Sequence, residues 1–342
     1  MGIRRPRHPS GRVGVPAVRV GMAARVGPVL TKRVGLTLTT RVTSVLAVLA
    51  ACVCGALPAA NAEPAARADA VAGCVPARVE TALPADIPIV DWSENVGFDA
   101  AGDLWVSRLY RNEVRRYDRT GASTGAVPVE FPGAVRLGPD GLLYVVYGDA
   151  PTSALRPGGI LRFDPAAAQP HPEVVVSGLT TMPNGAAFDT DGTLYIATNT
   201  GVLRTTRDGV IDRDWSARAA IPGANGIAIR DHTVYLTTNA APLGRVLSFP
   251  TAAPDQRTIL ADIPSRIPGV PDFTDDLIID DSGTLYVATL SGTLTRIDPT
   301  IHTTCTILTT EPLTSVAATP GHPSDLLVGT ERGPVLRVIL AS

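Results

Sequence analysis

The chain has 342 residues, of which 18% are charged, with 30 Lys and Arg against 32 Asp and Glu. Nine of the basic residues and none of the acidic ones fall within residues 1–41, so the rest of the chain is acidic, which argues against nucleic acid and anionic membrane surfaces as partners. The only lysine is Lys32, which excludes Schiff-base chemistry and a phosphate-loop lysine from the remainder.

The N-terminal region has the pattern of a secretory signal peptide. The basic stretch leads into an apolar run from Val42 to Leu57 and then into Ala60-Asn61-Ala62, a small-residue cleavage site. A transmembrane anchor is disfavoured because the run falls short of about 20 residues. A lipoprotein signal is a second alternative, in which Cys52 of Leu49-Ala-Ala-Cys52 would be lipidated. We predict a signal peptide over 1–62, a secreted protein and no membrane span, with a lipid anchor on Cys52 as the alternative.

Beyond residue 62 the sequence repeats with a period typical of propeller blades. Anchor residues recur at intervals of 39, 51, 40, 51 and 41 residues, and each period holds several short strands separated by Asp-Gly or Ser-Gly turns. We therefore predict an all-β, six-bladed β-propeller with four-stranded blades over residues 63–342. The fourth strand of the third blade is expected near Val210–Trp215. The anchors are Trp105, Tyr144, Tyr195, Tyr235, Tyr286 and Leu327.

Two cysteines, Cys74 and Cys305, lie outside the signal region. In an exported domain two cysteines most often form a disulfide, although two free buried thiols are the alternative. The C-terminal repeat contains three strand-like runs, and Val75–Leu83 can supply a fourth. We predict that this N-terminal strand completes the last blade and closes the ring, and that the disulfide holds the closure.

Four repeats open on an oxygen-bearing side chain. Glu94, Asn184 and Asp275 lie 11 residues before their aromatic anchors, and Asn225 lies 10 residues before its own. The inner strands of a propeller line the central channel and start at one face, so these side chains should converge. Two carboxylates and two amides would repel and stay poorly satisfied there without a cation, and an all-oxygen set suits Ca²⁺, with other divalent cations as alternatives. The competing interpretation is a local Asx turn at the start of each strand.

These segments resemble the regucalcin/gluconolactonase family, or senescence marker protein family, and more distantly the paraoxonases. The resemblance implies a six-bladed propeller that hydrolyses lactones or esters with a divalent metal, usually calcium, in its channel. It implies four metal ligands, of which Asp275 also activates the attacking water, and it makes Cys74–Cys305 the counterpart of the paraoxonase disulfide. The implied ligands are Glu94, Asn184, Asn225 and Asp275. The matching motifs are Ser93-Glu94-Asn95, Pro183-Asn184-Gly185, Ala224-Asn225-Gly226-Ile227 and Thr274-Asp275-Asp276-Leu277.

The second blade departs from the family pattern, because Gly133 stands where relatives carry Asn or His. That departure weakens the prediction of a sugar lactone as the substrate. Loops at the same face, such as Tyr147–Gly159, are expected to form the walls of the substrate site. The candidate substrate residues are Tyr147, Asn199, Asn239 and Asp276.

Two hypotheses of different class follow. The first is a secreted, monomeric, calcium-dependent hydrolase of a small lactone or ester. The second is a non-catalytic propeller that binds a ligand or a protein and keeps calcium for structure. An intact pair of Glu94 and Asp275 favours the enzyme, whereas a channel blocked by side chains favours the binding protein.

Overall fold

The computed structural model describes residues 74–206, 208–239, 244–265 and 272–341, which form a six-bladed β-propeller. The predicted signal peptide, residues 1–62, and the alternative lipidation site Cys52 lie outside the described residues. Within the described part of the chain each sequence repeat forms one antiparallel sheet, and successive sheets surround a central channel. The predicted fold class is therefore confirmed.

The strands follow the repeats in order around the ring. The first strand of the described residues is β1 (Arg78–Leu83). The first blade contains β2 (Ser93–Phe98), β3 (Leu104–Arg108), β4 (Glu113–Tyr117) and β5 (Ser123–Pro128). The second contains β6 (Val135–Leu137), β7 (Leu143–Tyr147), β8 (Gly158–Phe163) and β9 (Glu173–Leu179). The third contains β10 (Pro183–Phe188), β11 (Leu194–Thr198) and β12 (Gly201–Thr205).

The remaining three blades complete the circle. The fourth contains β13 (Ala224–Arg230), β14 (Thr233–Thr238), β15 (Gly244–Pro250) and β16 (Thr258–Ile263). The fifth contains β17 (Thr274–Ile279), β18 (Leu285–Thr289), β19 (Thr293–Asp298) and β20 (Thr303–Thr309). The sixth contains β21 (Leu313–Thr319), β22 (His322–Thr330) and β23 (Val335–Ile339) together with β1. Short 3₁₀ helices span Leu109–Arg111 and Pro151–Ala154.

The third blade differs from the expectation of a strand near Val210–Trp215. The chain makes one isolated bridge there and then forms the helix α1 (Arg213–Arg218). The carboxylate of Asp212 caps this helix by accepting a hydrogen bond from the backbone N–H of Trp215 at 3.0 Å. Trp215 is 2% exposed and packs in the core between the third and fourth blades. The segment forms a helix rather than a strand because the helix has a side-chain cap and buries Trp215, the largest apolar side chain of the segment.

The aromatic anchors of the repeats have a structural role within each blade. Each faces a residue on the neighbouring third strand, and in four blades that residue is an arginine. The guanidinium carbon of Arg116 lies 5.8 Å from the ring centre of Trp105, and that of Arg162 lies 6.0 Å from the ring centre of Tyr144. These cation–π contacts pin the second strand to the third. The four pairs are Trp105 with Arg116, Tyr144 with Arg162, Tyr195 with Arg204, and Tyr286 with Arg296.

Neighbouring inner strands approach so closely that only glycine fits at some positions. A Cβ atom on Gly185 would lie 2.3 Å from the carbonyl oxygen of Asn225, and one on Gly226 would lie 2.5 Å from that of Asp275. Each glycine therefore lets its strand abut the second residue of the next inner strand. This contact narrows the channel and brings the polar residues at the strand starts together.

The ring closes through the predicted N-terminal strand. β1 pairs antiparallel with β23, from Arg78 opposite Ile339 to Leu83 opposite Val335. The disulfide Cys74–Cys305 is present, with its Cα atoms 6.0 Å apart and a sequence separation of 231. It joins the segment before β1 to β20 of the fifth blade, so the prediction of a disulfide at the closure is confirmed.

We expect loss of the disulfide to weaken the closure rather than the individual blades. Changing both cysteines to serine should lower the free energy of unfolding by about 2–4 kcal/mol, because the cross-link restricts the unfolded chain over a long loop. Urea unfolding monitored by tryptophan fluorescence would measure the loss. The unmutated protein in dithiothreitol should behave like the double variant, and an unchanged midpoint in both would contradict the assigned role.

Candidate functional site at the upper channel mouth

We call the face at which the inner strands begin the upper face. At the start of five inner strands the pairing register shifts, and the shift includes Glu94, Asn184, Asn225, Asp275 and Thr314. Such bulges leave a residue unpaired and re-aim its side chain. The bulges explain how these strand starts can direct side chains at the channel while the strands still pair with their neighbours further along.

Glu94, Asn184 and a third residue, Asp149, form one hydrogen-bonded cluster across three blades. The side-chain Nδ2 of Asn184 donates to Oε1 of Glu94 at 3.2 Å and to Oδ2 of Asp149 at 2.9 Å. The indole Nε1 of Trp92 donates to Oε2 of Glu94 at 2.5 Å. Glu94 and Asp149 are each 7% exposed, so both carboxylates are held in place and are largely removed from water.

Asp275 and Asn225 lie at the starts of the inner strands of the fifth and fourth blades. Asp275 is 5% exposed and lies close enough to Glu94 and Asp149 for their charges to act on it. The side-chain Oδ1 of Asn225 is inaccessible to solvent and has no hydrogen-bond donor. A buried amide oxygen without a donor is rare in folded proteins, and a cation is one group that would satisfy it.

The electrostatics of the cluster are strongly unfavourable to three ionised carboxylates. Burial raises the pKa of Asp275 well above its usual range, and the charges of Glu94, Asp149 and Asp276 raise it further. Burial also raises the pKa of Asp149 and, to a smaller extent, that of Glu94, and the two carboxyl groups contact each other. Among the described residues no Lys, Arg or His forms an ion pair with Glu94, Asp149 or Asp275. Protons or a bound cation must therefore offset the charge.

Asp149 is the residue that the sequence did not identify. It follows β7 in the second blade, within the loop Tyr147–Gly159 that was expected to form a substrate wall. A Cβ atom on Gly133 would lie 3.1 Å from Oδ2 of Asp149, so this carboxylate occupies the space that a side chain at Gly133 would take. The combination of a glycine at the start of an inner strand with an acidic residue after the next strand is the signal that could have revealed it.

A second polar layer lies directly below the cluster. Arg136, on β6, donates two hydrogen bonds of 3.1 Å to the carboxylate of Asp276 on β17, and its other terminal nitrogen donates to Oδ1 of Asn95 at 2.6 Å. Asn95 in turn donates to Asp276 at 2.9 Å. These side chains come from the first, second and fifth blades, so the guanidinium crosses the channel. At the positions equivalent to Arg136 the other blades carry Gly97, Ala187, Ala228, Ile278 and Ala317.

The predicted substrate residues are not all brought to one place. Asp276 is 3% exposed at its side chain and is engaged by Arg136. Tyr147 packs against the core between the first and second blades, and Asn199 is exposed. Asn239 lies beside the start of β17, where its Oδ1 accepts a hydrogen bond from Thr274 at 3.4 Å. On the rim, Tyr110 packs edge-on against Trp92 with ring centres 5.5 Å apart, and burial and the charge of Glu94 raise its pKa.

Two features are absent from the described residues. No group of three or more His, Cys, Asp and Glu is arranged there to hold a metal ion. Glu94, Asp149 and Asp275 are among these residues, and in the present side-chain arrangement the NH₂ of the Asn184 amide lies between the carboxylates of Glu94 and Asp149 and donates to both. In the same part of the chain no helix has the length and apolarity needed to cross a membrane.

The fold is shared with solved structures of low sequence identity. A gluconolactonase from Xanthomonas campestris is 18% identical with a TM-score of 0.59, over 78% of this chain and 90% of that one. The calcium-binding protein regucalcin from Agrobacterium tumefaciens is 18% identical with a TM-score of 0.56, over 76% and 96%. A luciferin-regenerating enzyme is 16% identical with a TM-score of 0.59, over 77% and 95%. No family model and no curated protein sequence matches the chain. The neighbours thus confirm the gluconolactonase/regucalcin-like six-bladed fold.

Removing one partner of the channel-crossing pair should be strongly destabilising. Arg136→Met leaves Asp276 buried without its cationic partner, and we expect a loss of about 3 kcal/mol in the free energy of unfolding. The double variant Arg136→Met/Asp276→Asn should recover part of that loss, because the uncompensated charge is gone. Chemical denaturation of both variants tests this, and an equal loss in the double variant would contradict the pairing argument.

The raised pKa of Asp275 predicts a pH-dependent effect in protein kept free of metal by a chelator. At about pH 3 and below the carboxyl group is mostly protonated in both the folded and the unfolded states, so Asp275→Asn should leave stability nearly unchanged. As the pH rises, the unfolded state ionises first and the parent loses stability, so the variant should become more stable by an amount on the order of 1 kcal/mol.

Thermal unfolding between pH 3 and pH 7.5 measures this difference. Asp164→Asn is the matched control, since Asp164 is an exposed carboxylate at the other end of the second blade. Parallel pH profiles for the parent and Asp275→Asn would show that Asp275 is not a buried group of raised pKa.

Proposed function

We propose that the protein is a secreted, calcium-dependent hydrolase of lactones or esters whose site is the upper mouth of the channel. The observation that carries the proposal is the set of Glu94, Asn184, Asn225 and Asp275, in which both carboxylates are buried, one amide oxygen has no donor, and no cationic side chain of the described residues pairs with the carboxylates. The gluconolactonase and regucalcin neighbours support it at the level of fold.

The residues present fit a calcium ion. The set contains only oxygen donors from carboxylates and amides, which hard divalent cations prefer, and Ca²⁺ tolerates irregular arrangements of such donors better than Mg²⁺ does. Glu94 and Asp275 would supply the charge, and Asn184 and Asn225 would supply neutral oxygens. The orphaned Oδ1 of Asn225 is already buried without a partner, and a half-turn of the Asn184 amide would present its oxygen in place of its NH₂.

The surrounding residues orient these groups. Trp92 donates to Glu94, and Asn184 donates to both Glu94 and Asp149, so the Glu94 carboxylate is fixed by its hydrogen bonds. Such outer contacts hold ligands in position and are as necessary as the ligands themselves. The close approach of Gly226 to the carbonyl of Asp275 fixes the backbone beneath that carboxylate.

When bound, calcium supplies polarisation of the substrate carbonyl and a counter-charge for the oxygen that becomes negative. Asp275 would accept a proton from a water molecule as that water attacks the carbonyl carbon. The same carboxyl group can then return the proton to the ring or ester oxygen as the C–O bond breaks. The products are a carboxylic acid and an alcohol, which are one hydroxy acid when the substrate is a lactone.

The second hypothesis, a binding propeller with structural calcium, is favoured by one observation. Arg136 crosses the channel to reach Asp276, so side chains block the channel one layer below the cluster. The block leaves the upper layer formed, since Glu94 and Asp275 are above it. A ligand would then reach the cluster from the upper face only, whether or not it is hydrolysed.

Secretion is part of the proposal. The basic, apolar and small-residue order of residues 1–62 supports it. The Cys74–Cys305 disulfide supports it further, because disulfides persist in oxidising compartments. A lipid anchor on Cys52 remains the alternative form of export.

Calcium calorimetry combined with hydrolysis assays tests the function. The parent should bind one calcium ion, and Glu94→Gln and Asp275→Asn should each weaken binding by about tenfold or more. On a panel of γ- and δ-lactones and aryl esters, the parent should show turnover that a chelator abolishes. Asp275→Asn should reduce kcat/KM by about 100-fold or more at saturating calcium.

Asp164→Asn serves as the control that should match the parent in both measurements. Calcium bound equally by the parent and both site variants would place the ion elsewhere. Binding lost in the variants but without turnover on any substrate would favour the binding propeller over the enzyme.

A further inference from the structure

We propose that Asp149 is a direct ligand of the cation, contributed by the second blade from the loop after β7 in place of the side chain that Gly133 lacks. The inference rests on the proposed function, because it assigns a further residue to the same cation site. It changes the predicted set from two carboxylates and two amides to three carboxylates and two amides, drawn from five consecutive blades.

The position of the Asp149 carboxylate supports a ligand role. Its Oδ2 lies 2.9 Å from Nδ2 of Asn184 and 3.1 Å from the point where a Cβ of Gly133 would be. A side chain at Gly133 would also lie 2.7 Å from the carbonyl oxygen of Asn184, so the strand start cannot carry a side chain itself. Asp149 therefore fills the second-blade position from above, next to Glu94 of the first blade and Asn184 of the third.

Backbone hydrogen bonds hold Asp149 in that position. The N–H of Asp149 donates to the carbonyl of Phe131 at 2.9 Å, and the N–H of Gly148 donates to the carbonyl of Glu130 at 2.8 Å. Phe131 has a φ of 42° and Gly148 a φ of 79°. A left-handed phenylalanine is unfavourable, and such strain is concentrated at functional sites. The two chain segments thus clamp the start of β6 to the residue that supplies the carboxylate.

A purely structural role would not require a carboxylate at Asp149. If Asp149 served only to accept a hydrogen bond from Asn184, a neutral amide oxygen would do so without placing a third carboxylate beside Glu94 and Asp275. A third carboxylate needs a proton or a cation to offset its charge, whereas an amide needs neither. The Oδ1 of Asn225, at the start of the fourth inner strand, is a buried oxygen without a donor, and a cation is one group that would satisfy it.

A third carboxylate has a consequence for the choice of cation. More ligand charge strengthens the binding of hard cations, and it does so more for a trivalent ion than for a divalent one. Removing the charge of Asp149 while keeping its shape should therefore weaken terbium binding by a larger factor than calcium binding. A change that only disturbed the loop would weaken both by similar factors.

The test compares Asp149→Asn with Asp164→Asn in the full protein. Calcium affinity is measured by calorimetry and terbium affinity by sensitised luminescence, with unfolding in chelator as the check on folding. In chelator, Asp149→Asn should be at least as stable as the parent, since it removes a buried charge. With metal, it should lose about tenfold or more in calcium affinity and a larger factor for terbium, whereas Asp164→Asn should match the parent.

The outcomes separate this inference from the proposed function. Calcium bound by the parent and by Asp149→Asn with the same affinity would overturn the ligand role and leave the proposed function standing. Equal weakening for calcium and terbium would also overturn it, in favour of a positioning effect. A parent that binds neither ion would overturn both proposals.

Discussion

The close packing of the inner strands around the axis is the constraint on which the rest of the molecule depends. Gly185 and Gly226 each let their strand abut the carbonyl of the next inner strand's second residue. Because the strands cannot move apart without breaking these contacts, the polar groups at their starts are held together whether or not their charges are balanced. The site is thus a product of ring closure, to which β1 and the disulfide contribute.

The channel separates its charges into layers. Arg136 neutralises Asp276 within a buried network that includes Asn95, and the layer above contains carboxylates that form no such ion pair among the described residues. Had the guanidinium reached Glu94 or Asp275, it would have satisfied the upper layer and left no place for an external cation. Its engagement with Asp276 therefore leaves the carboxylates of the upper layer without an ion pair among the described residues.

The sequence repeats predict most of the fold, and the positions at which the prediction differs from the structure have physical reasons. The 40- to 50-residue period and the four strand openers predicted the blades and the convergence of Glu94, Asn184, Asn225 and Asp275. The same reasoning missed Asp149, because a loop residue has no place in a strand-based alignment. It expected a strand near Val210–Trp215, where a capped helix buries Trp215 instead. It grouped Asp276 with substrate residues, although a partner 140 positions away engages it.

The sequence by itself determined which residue types occur at each strand start, since the repeat period sets their register and the alternation of the strands sets their faces. It also determined how the ring closes, because only one segment could supply the missing strand. Only the tertiary structure decided which carboxylates lie together at the upper channel mouth and which one forms an ion pair with Arg136. That outcome depends on distances across the channel between residues that are remote in the chain. Burial strengthens the electrostatic interactions between charges at those distances.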